Sequence, residues 1–124
     1  MMSQNETNLL RKRAKKFEKL AKFCLRNNDF DLAVFNSEQA VQLLLKTFLL
    51  EQQGWYPKTH SIFELLNLCG KFKSGMKNFI RKERLAISLL EDSYITSRYV
   101  AREFTKEEAE EAIRFMKRLK GVLE

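Results

Sequence analysis

The fold of this chain is set by the segment over 36–66, which reads NSEQAVQLLLK at positions 36–46, GWYPKTH at 54–60 and ELL at 64–66. Its first part is strongly apolar at helical spacing, and its second part contains the only proline and the only histidine of the chain. This pattern predicts a central helix over 30–52 that touches several neighbours, with Gly54 closing it and Pro57 preventing its continuation.

Helical periodicity extends in both directions from this segment. It predicts further helices over 5–27, 61–69 and 77–98, and a last helix that begins at Thr105. The chain has four glycines and one proline, which favours long uninterrupted helices. Because there is no strand pattern, repeat or linker, we expect a single all-α domain over 1–124, with a flexible polar N-terminus at 1–8.

Local capping signals set several of these boundaries. Asn27 and Asn28 tolerate the left-handed turn that closes a helix, and Asp29 is a candidate N-cap for the next one. Thr59 or Ser61 is expected to cap the helix over 61–69. Two capping boxes are predicted, Ser61 with Glu64 and Thr105 with Glu108. The helix over 77–98 is expected to bury one stripe of side chains, with others flanking it: Ile80, Ile87, Leu90 and Tyr94, flanked by Leu85, Leu89 and Ile95.

The charge is high and unevenly placed. The net charge is +7, and it comes from residues 11–22, with seven Lys/Arg against Glu18, and residues 71–84, with six against Glu83. Such segments suit a polyanion or an acidic partner, although a solvated helix face is the alternative. No apolar run is long enough to cross a bilayer and the N-terminus lacks a signal peptide. We therefore expect a cytoplasmic protein with no membrane contact.

Cysteine and histidine usage argues against a metal site. Cys24 and Cys69 each fall within an apolar helical pattern, which indicates buried free thiols. Neither has a Cys or His neighbour at metal-ligand spacing, and the chain has one histidine. We expect no metal and no cofactor.

Several ordered motifs resemble the HEPN domain (higher eukaryotes and prokaryotes nucleotide-binding). The similarity covers about residues 9–122 and rests on the order and spacing of the motifs. It implies an up-and-down bundle of four to five helices, a homodimer, binding of nucleotide or RNA, and a minimal nucleotidyltransferase as partner in a toxin–antitoxin-like pair. The motifs are Gln39-Ala40 with Leu44-Leu45-Lys46, Pro57-Lys58-Thr59-His60, Leu65-Leu66, Tyr94 to Tyr99 and Phe104 to Glu110.

Some members of that family are metal-independent ribonucleases that carry an arginine shortly before a histidine late in the domain. This chain departs from that signature. The only histidine is His60, and positions 53–55, where the arginine would have to stand, are Gln53, Gly54 and Trp55. We therefore expect a non-catalytic binding module. The alternatives are a ribonuclease toxin that uses His60 as base and Arg98 as phosphate-binding cation, and a purely structural helical adaptor.

Four residues are the candidates for ligand binding: His60, Arg98, Tyr99 and Lys46. Each also has a structural interpretation. His60 could cap its own helix, contact a phosphate at the helix N-terminus or act as a base. Arg98 and Tyr99 match polar cleft positions of the family, but an arginine at a helix C-terminus is favourable by itself. Lys46 could lay its stem on apolar surface or contact an anion. Tyr94 is expected in the core, and Trp55 either anchors an interface or covers the end of the core.

Overall fold

The computed structural model describes residues 4–99 and 102–124, with the side chains of 96–99 left out. These residues form six helices and no strand, which confirms the all-α prediction. The expected number was four to five helices. The difference arises in one place, where the helix predicted over 77–98 is divided into two helices. The six are α1 (Gln4–Arg26), α2 (Phe30–Gln53), α3 (Ile62–Cys69), α4 (Met76–Lys82), α5 (Arg84–Tyr99) and α6 (Lys106–Leu123).

Helices α1 and α2 form an antiparallel hairpin. The turn between them uses Asn28, whose φ of 60° is left-handed, as expected for an asparagine after a helix. The backbone N–H of Asp29 donates to the carbonyl of Cys24 at 2.8 Å, which closes the end of α1. Asp29 does occupy the N-cap of α2, but its side chain makes no capping hydrogen bond.

Helix α2 is the centre of the bundle, packed against α1, α3, α5 and α6. Its apolar face is fully buried at Ala40, Val41, Leu45 and Leu49. Both cysteines are buried free thiols, as predicted, and burial raises the pKa of Cys69 to about 12. Helix α2 ends at Gly54, where φ is +82° and the N–H donates to the carbonyl of Leu50.

The break between α4 and α5 falls at Glu83, which has φ −101° and ψ 14°. Its carboxylate accepts two hydrogen bonds of 2.7 Å from Arg118 on α6. The positions predicted to flank the apolar stripe are not all covered. Leu85 is 88% exposed and Ile95 is 53% exposed, whereas Ile80, Ile87 and Leu90 are buried as predicted.

Helix α6 begins with a complete capping box. The Thr105 side chain accepts from the N–H of Glu108, and the Glu108 carboxylate accepts from the N–H of Thr105. The carboxylate of Asp31 accepts from the N–H of Phe104 at 2.6 Å, which ties the start of α6 to the start of α2. Residues 100 and 101, within the predicted connection over 99–104, lie outside the described residues, as do 1–3 of the predicted flexible terminus.

None of the helices in the described part of the chain is long and apolar enough to cross a lipid bilayer.

Candidate functional site

The most distinctive surface feature is a stacked pair of rings, His60 on Tyr94. The ring centroids are 4.5 Å apart and the planes differ by 23°. His60 is exposed and Tyr94 is half-buried. Tyr94 covers one face of the imidazole, and the His60 side chain is otherwise exposed to solvent. Tyr94 is therefore not simply a core residue, as its helical position had suggested.

Helix α5 also contacts the residues that follow His60 in the sequence. The carboxylate of Glu91 accepts from the Ser61 hydroxyl at 2.9 Å and from the N–H of Phe63 at 3.2 Å. Ser61 is the N-cap of α3, as predicted, and its hydroxyl accepts from the N–H of Glu64. The second half of that capping box is missing, because the Glu64 carboxylate accepts instead from the Thr59 hydroxyl at 2.8 Å.

These contacts limit how an anion could bind beside His60. The N–H groups of Phe63 and Glu64, which open α3, already donate to Glu91 and Ser61. A phosphate would have to displace the Glu91 carboxylate in order to accept a hydrogen bond from the N–H of Phe63. Contact through the imidazole, either its ring face or its nitrogens, is the more accessible route.

A second group of polar residues crosses the buried face of α2. Glu38 is fully buried and accepts from Gln39 at 2.7 Å and from the side-chain amide of Gln42. The Gln42 oxygen in turn accepts from the Lys46 amine at 3.3 Å. Glu38, Gln42 and Lys46 stand four residues apart, so they form one stripe along the helix. This hydrogen-bonded chain links a buried carboxylate to a cation nearer the surface.

Lys46 lies at the outer end of that stripe. Its amine sits 5.4 Å from the centre of the Tyr56 ring, within the range of a cation–π contact. Burial lowers the pKa of Lys46, and the charge of Glu38 partly offsets this effect. Lys46 is half-buried, and its amine meets Tyr56 and Gln42.

Arg98 and Tyr99 occupy the last turn of α5. The structure describes the backbone of these two residues but not their side chains. Arg98 follows Tyr94 by four residues, about 6 Å further along the helix axis. The fold therefore brings His60 beside α5 one turn before Arg98. Lys46 belongs to the polar stripe of α2, on a different helix.

One further cation stands close to His60 along the chain, because Lys58 is exposed two residues earlier. Arg84 is also exposed and lies 5.4 Å from the ring centre of Phe63. It stands ten residues before Tyr94 on α5, about 15 Å along the helix axis from the ring on which His60 stacks. The His60 surface thus combines an exposed ring with the charge of Lys58.

The polar stripe of α2 was missed by the sequence reasoning, although a signal was present. A glutamate, a glutamine and a lysine at four-residue spacing, within an otherwise apolar helix, predict a polar line through the core. The role of Glu91 had no comparable signal in the sequence, because its partners Phe63 and Ser61 lie 28 and 30 residues away.

Among the described residues, no three His, Cys, Asp or Glu side chains come together as a metal ion would require.

Comparison with known protein families identifies the family of this chain. The model of the HEPN domain matches residues 7–124. The chain belongs to the HEPN family. Its fold is that of the crystal structure of TT1696 from Thermus thermophilus, with a TM-score of 0.81, 24% sequence identity and 97% of each chain covered. At that identity the likeness concerns the fold. The comparison with curated proteins found no match.

Two further features of this HEPN domain concern its surface. Trp55, in the loop after α2, is 53% exposed, so it does not simply cover the end of the core. On α1, Leu9, Leu20 and Phe23 are 46%, 47% and 55% exposed, in and beside the lysine- and arginine-rich segment over 11–22.

Proposed function

We propose that this HEPN domain is a non-catalytic module that binds nucleotide or RNA through the surface around His60. The observation that carries the proposal is the exposed imidazole stacked on Tyr94. An unpaired base stacks on such a ring without regard to its identity, and each stacked base contributes about 1–3 kcal/mol. Lys58 and Arg98 supply positive charge for the phosphates nearby, and Lys46 with Tyr56 is a second candidate contact.

The direct test is binding of a fluorescently labelled single-stranded RNA, followed by anisotropy at several salt concentrations. We expect affinity to fall as salt rises, because phosphate contacts release counterions. His60→Ala should weaken binding about tenfold, in line with one lost base stack. The matched control is Phe23→Ala, which removes an exposed aromatic ring from α1. Equal effects of the two substitutions, or no binding at low salt, would contradict the proposal and favour a structural adaptor.

A protein partner is the second part of the proposal. Homodimerisation and pairing with a minimal nucleotidyltransferase are properties that HEPN membership suggests for this chain, and exposed Trp55 is the side chain best suited to anchor an interface. Co-expression with a minimal nucleotidyltransferase and co-purification tests the pairing, with Trp55→Ala as the variant. Light scattering on the domain alone measures the homodimer. A monomer that captures no nucleotidyltransferase would remove this part and leave RNA binding untouched.

A ribonuclease is the second candidate function, and one observation favours it. The stack on Tyr94 holds His60 one helical turn from Arg98. Metal-free cleavage needs a base to take the 2′-hydroxyl proton and a cation to stabilise the phosphate, roles that His60 and Arg98 could fill. The test is incubation with RNA in excess chelator. Cleavage abolished by His60→Ala would establish this function, and intact RNA after long incubation would exclude it.

A further inference from the structure

Helix α1 carries a row of exposed cations that no acidic side chain balances. Residues 11–26 contain one carboxylate, Glu18, which is buried and pairs with Lys120 on α6. Arg11 pairs with Glu51 on α2. The other cations of this segment are exposed and form no ion pair in the part of the chain that the structure describes. They are Lys12, Arg13, Lys15, Lys16, Lys19, Lys22 and Arg26.

This arrangement of charge does not stabilise α1 itself. Lys12, Lys16 and Lys19 follow one another at intervals of four and three residues, so like charges stand next to each other on one face and repel. On α6, by contrast, Arg118 is paired with both Glu83 and Glu111. Because the three lysines of α1 have no such partners among the described residues, a molecule that brings negative charge to this face would relieve their repulsion.

Exposed apolar side chains lie on the same face of the helix. Leu9, Leu20 and Phe23 are each about half exposed. Their spacing places them within about 60° of one another around the helix axis, along a length of about 21 Å. Lys16 falls inside this arc and Lys12 borders it. The surface, here named the α1 stripe, covers about a third of the helix circumference. It consists of Leu9, Lys12, Arg13, Lys16, Lys19, Leu20 and Phe23.

From this combination of charge and apolar surface we infer that the α1 stripe binds an acidic amphipathic helix of another protein. The apolar side of that helix covers Leu20 and Phe23, and its carboxylates pair with the lysines beside them. A nucleic acid backbone would use the cations but would leave the apolar side chains against phosphate. A second copy of this chain presenting the same face would bring cations onto cations, which is costly.

The α1 stripe is separate from the His60 surface. Helix α1 packs against α2 and α6, whereas His60 stacks on Tyr94 of α5. Binding of an acidic helix to α1 therefore does not depend on the function proposed for the His60 surface.

The probe is a synthetic peptide of about three heptads, with leucine at positions a and d, glutamate at e and g, and alanine elsewhere. Two-dimensional NMR of the full chain is the measurement. Saturable shifts at Leu9, Leu20 and Phe23, with none at His60 or Tyr94, are expected.

Two altered peptides separate charge from apolar contact. Glutamine in place of glutamate, or serine in place of leucine, should each weaken binding at least about tenfold. A duplex RNA of about sixteen base pairs tests the other class of partner. The inference would be overturned by no saturable binding of the glutamate peptide, by equal binding of the serine peptide, or by duplex RNA that saturates the same residues at lower concentration.

Two triple variants of equal net charge show whether the position of the cations matters. The first neutralises three cations of the α1 stripe, by Lys12→Gln, Lys16→Gln and Lys19→Gln. The matched control neutralises three exposed cations of the other basic segment, by Lys77→Gln, Arg81→Gln and Lys82→Gln. The first should bind the glutamate peptide about tenfold more weakly, as expected for three lost exposed ion pairs, and the control should bind it as wild type does. Equal weakening in both would mean that net charge alone attracts the peptide and would refute the assigned surface.

A serine pair tests the apolar part of the stripe. Leu20→Ser with Phe23→Ser should weaken the glutamate peptide about tenfold, because the peptide no longer covers apolar surface there. Both side chains are about half exposed, so circular dichroism should show an unchanged helical fold. The control is Leu85→Ser, which alters a leucine of α5 that is 88% exposed, and it should leave the affinity unchanged. Unchanged affinity of the serine pair would exclude an amphipathic helix as the partner.

Discussion

The imidazole ring of His60 stacks on the phenol ring of Tyr94, with 4.5 Å between their centroids. One residue further on, Ser61 donates to Glu91, which stands one turn before Tyr94 on α5. The same helix face therefore fixes both the backbone and the ring of the segment that leads into α3. His60 is exposed but it is not loosely placed, and a ring held in this way loses little freedom when a ligand stacks on it.

Glu91 is expected to control this placement. Glu91→Ala removes the acceptor of both Ser61 and Phe63, and we expect about 1–3 kcal/mol lower stability in urea unfolding, as for hydrogen bonds to a charged group. Glu91→Gln retains an acceptor oxygen and should lose less. The ring-current shift of the His60 protons, which reports the stack on Tyr94, should change in the alanine variant and persist in the glutamine variant. An unchanged shift in Glu91→Ala would show that Tyr94 alone positions the ring.

The capping box of α6 is expected to make stability depend on acid. Burial raises the pKa of Glu108, but the N–H of Thr105 and the Arg102 guanidinium outweigh it, so the net pKa lies below its ordinary value. A lowered folded-state pKa stabilises the fold above the unfolded value, and this contribution disappears as pH falls through the folded value. Glu108→Gln should therefore be less stable at pH 7, by about 0.5–1 kcal/mol, and this deficit should shrink as the pH is lowered to 3.

The control for Glu108 is Glu110→Gln, on the same helix. Its carboxylate has no ion pair in the residues described, so its removal should change stability little at either pH. Denaturant unfolding of both variants at the two pH values is the measurement. A Glu108→Gln deficit that is the same at pH 3 and pH 7 would contradict the proposed ionisation effect.

Arg118 is expected to stabilise the break between α4 and α5. It holds Glu83 with two bonds of 2.7 Å and Glu111 with one of 2.6 Å, which raises its own pKa through the bond to Glu83 above all. Arg118→Met should cost about 1 kcal/mol, since the side chain is 40% exposed and solvent screens the pair. A double-mutant cycle with Glu83→Gln should show coupling. Additive effects of the two substitutions would mean that the pair contributes nothing to stability.

Two glycines should respond to alanine in opposite directions. Gly54 has φ +82°, where an L side chain is strained, so Gly54→Ala should destabilise by about 1 kcal/mol. Gly121 lies inside α6, and a methyl group there would meet nothing within 4 Å. Gly121→Ala should therefore stabilise, by up to about 1 kcal/mol. Thermal unfolding of both variants checks the pair, and the same sign for both would contradict the backbone argument.

Much of the fold could be read from local signals. The limits of α1, α2 and α3 lie within one residue of the prediction, because helical periodicity and capping residues act over a few positions. Gly54, Asn28, Ser61 and Thr105 all close or open helices as their types predict. The break at Glu83 had no such signal, since the residue that holds it, Arg118, is 35 positions away.

The candidate site was predictable only in part. His60 and Lys46 were chosen from sequence, and the structure gives each a ring partner, Tyr94 and Tyr56. All four candidates remain predictions as ligand contacts, and for Arg98 and Tyr99 only the backbone is described. The supporting residues Glu91 and Glu38 were not found, because their importance comes from burial and from partners that the helical pattern alone does not reveal.

Local sequence patterns were enough to establish that this chain is all-helical and where most helices begin and end. These properties follow from side-chain periodicity and from caps, which involve residues within one or two turns. Three-dimensional packing was needed to put His60 on Tyr94 and to let Glu91 hold the start of α3. Each of these contacts joins segments that are distant along the chain, so it exists only once the bundle has packed.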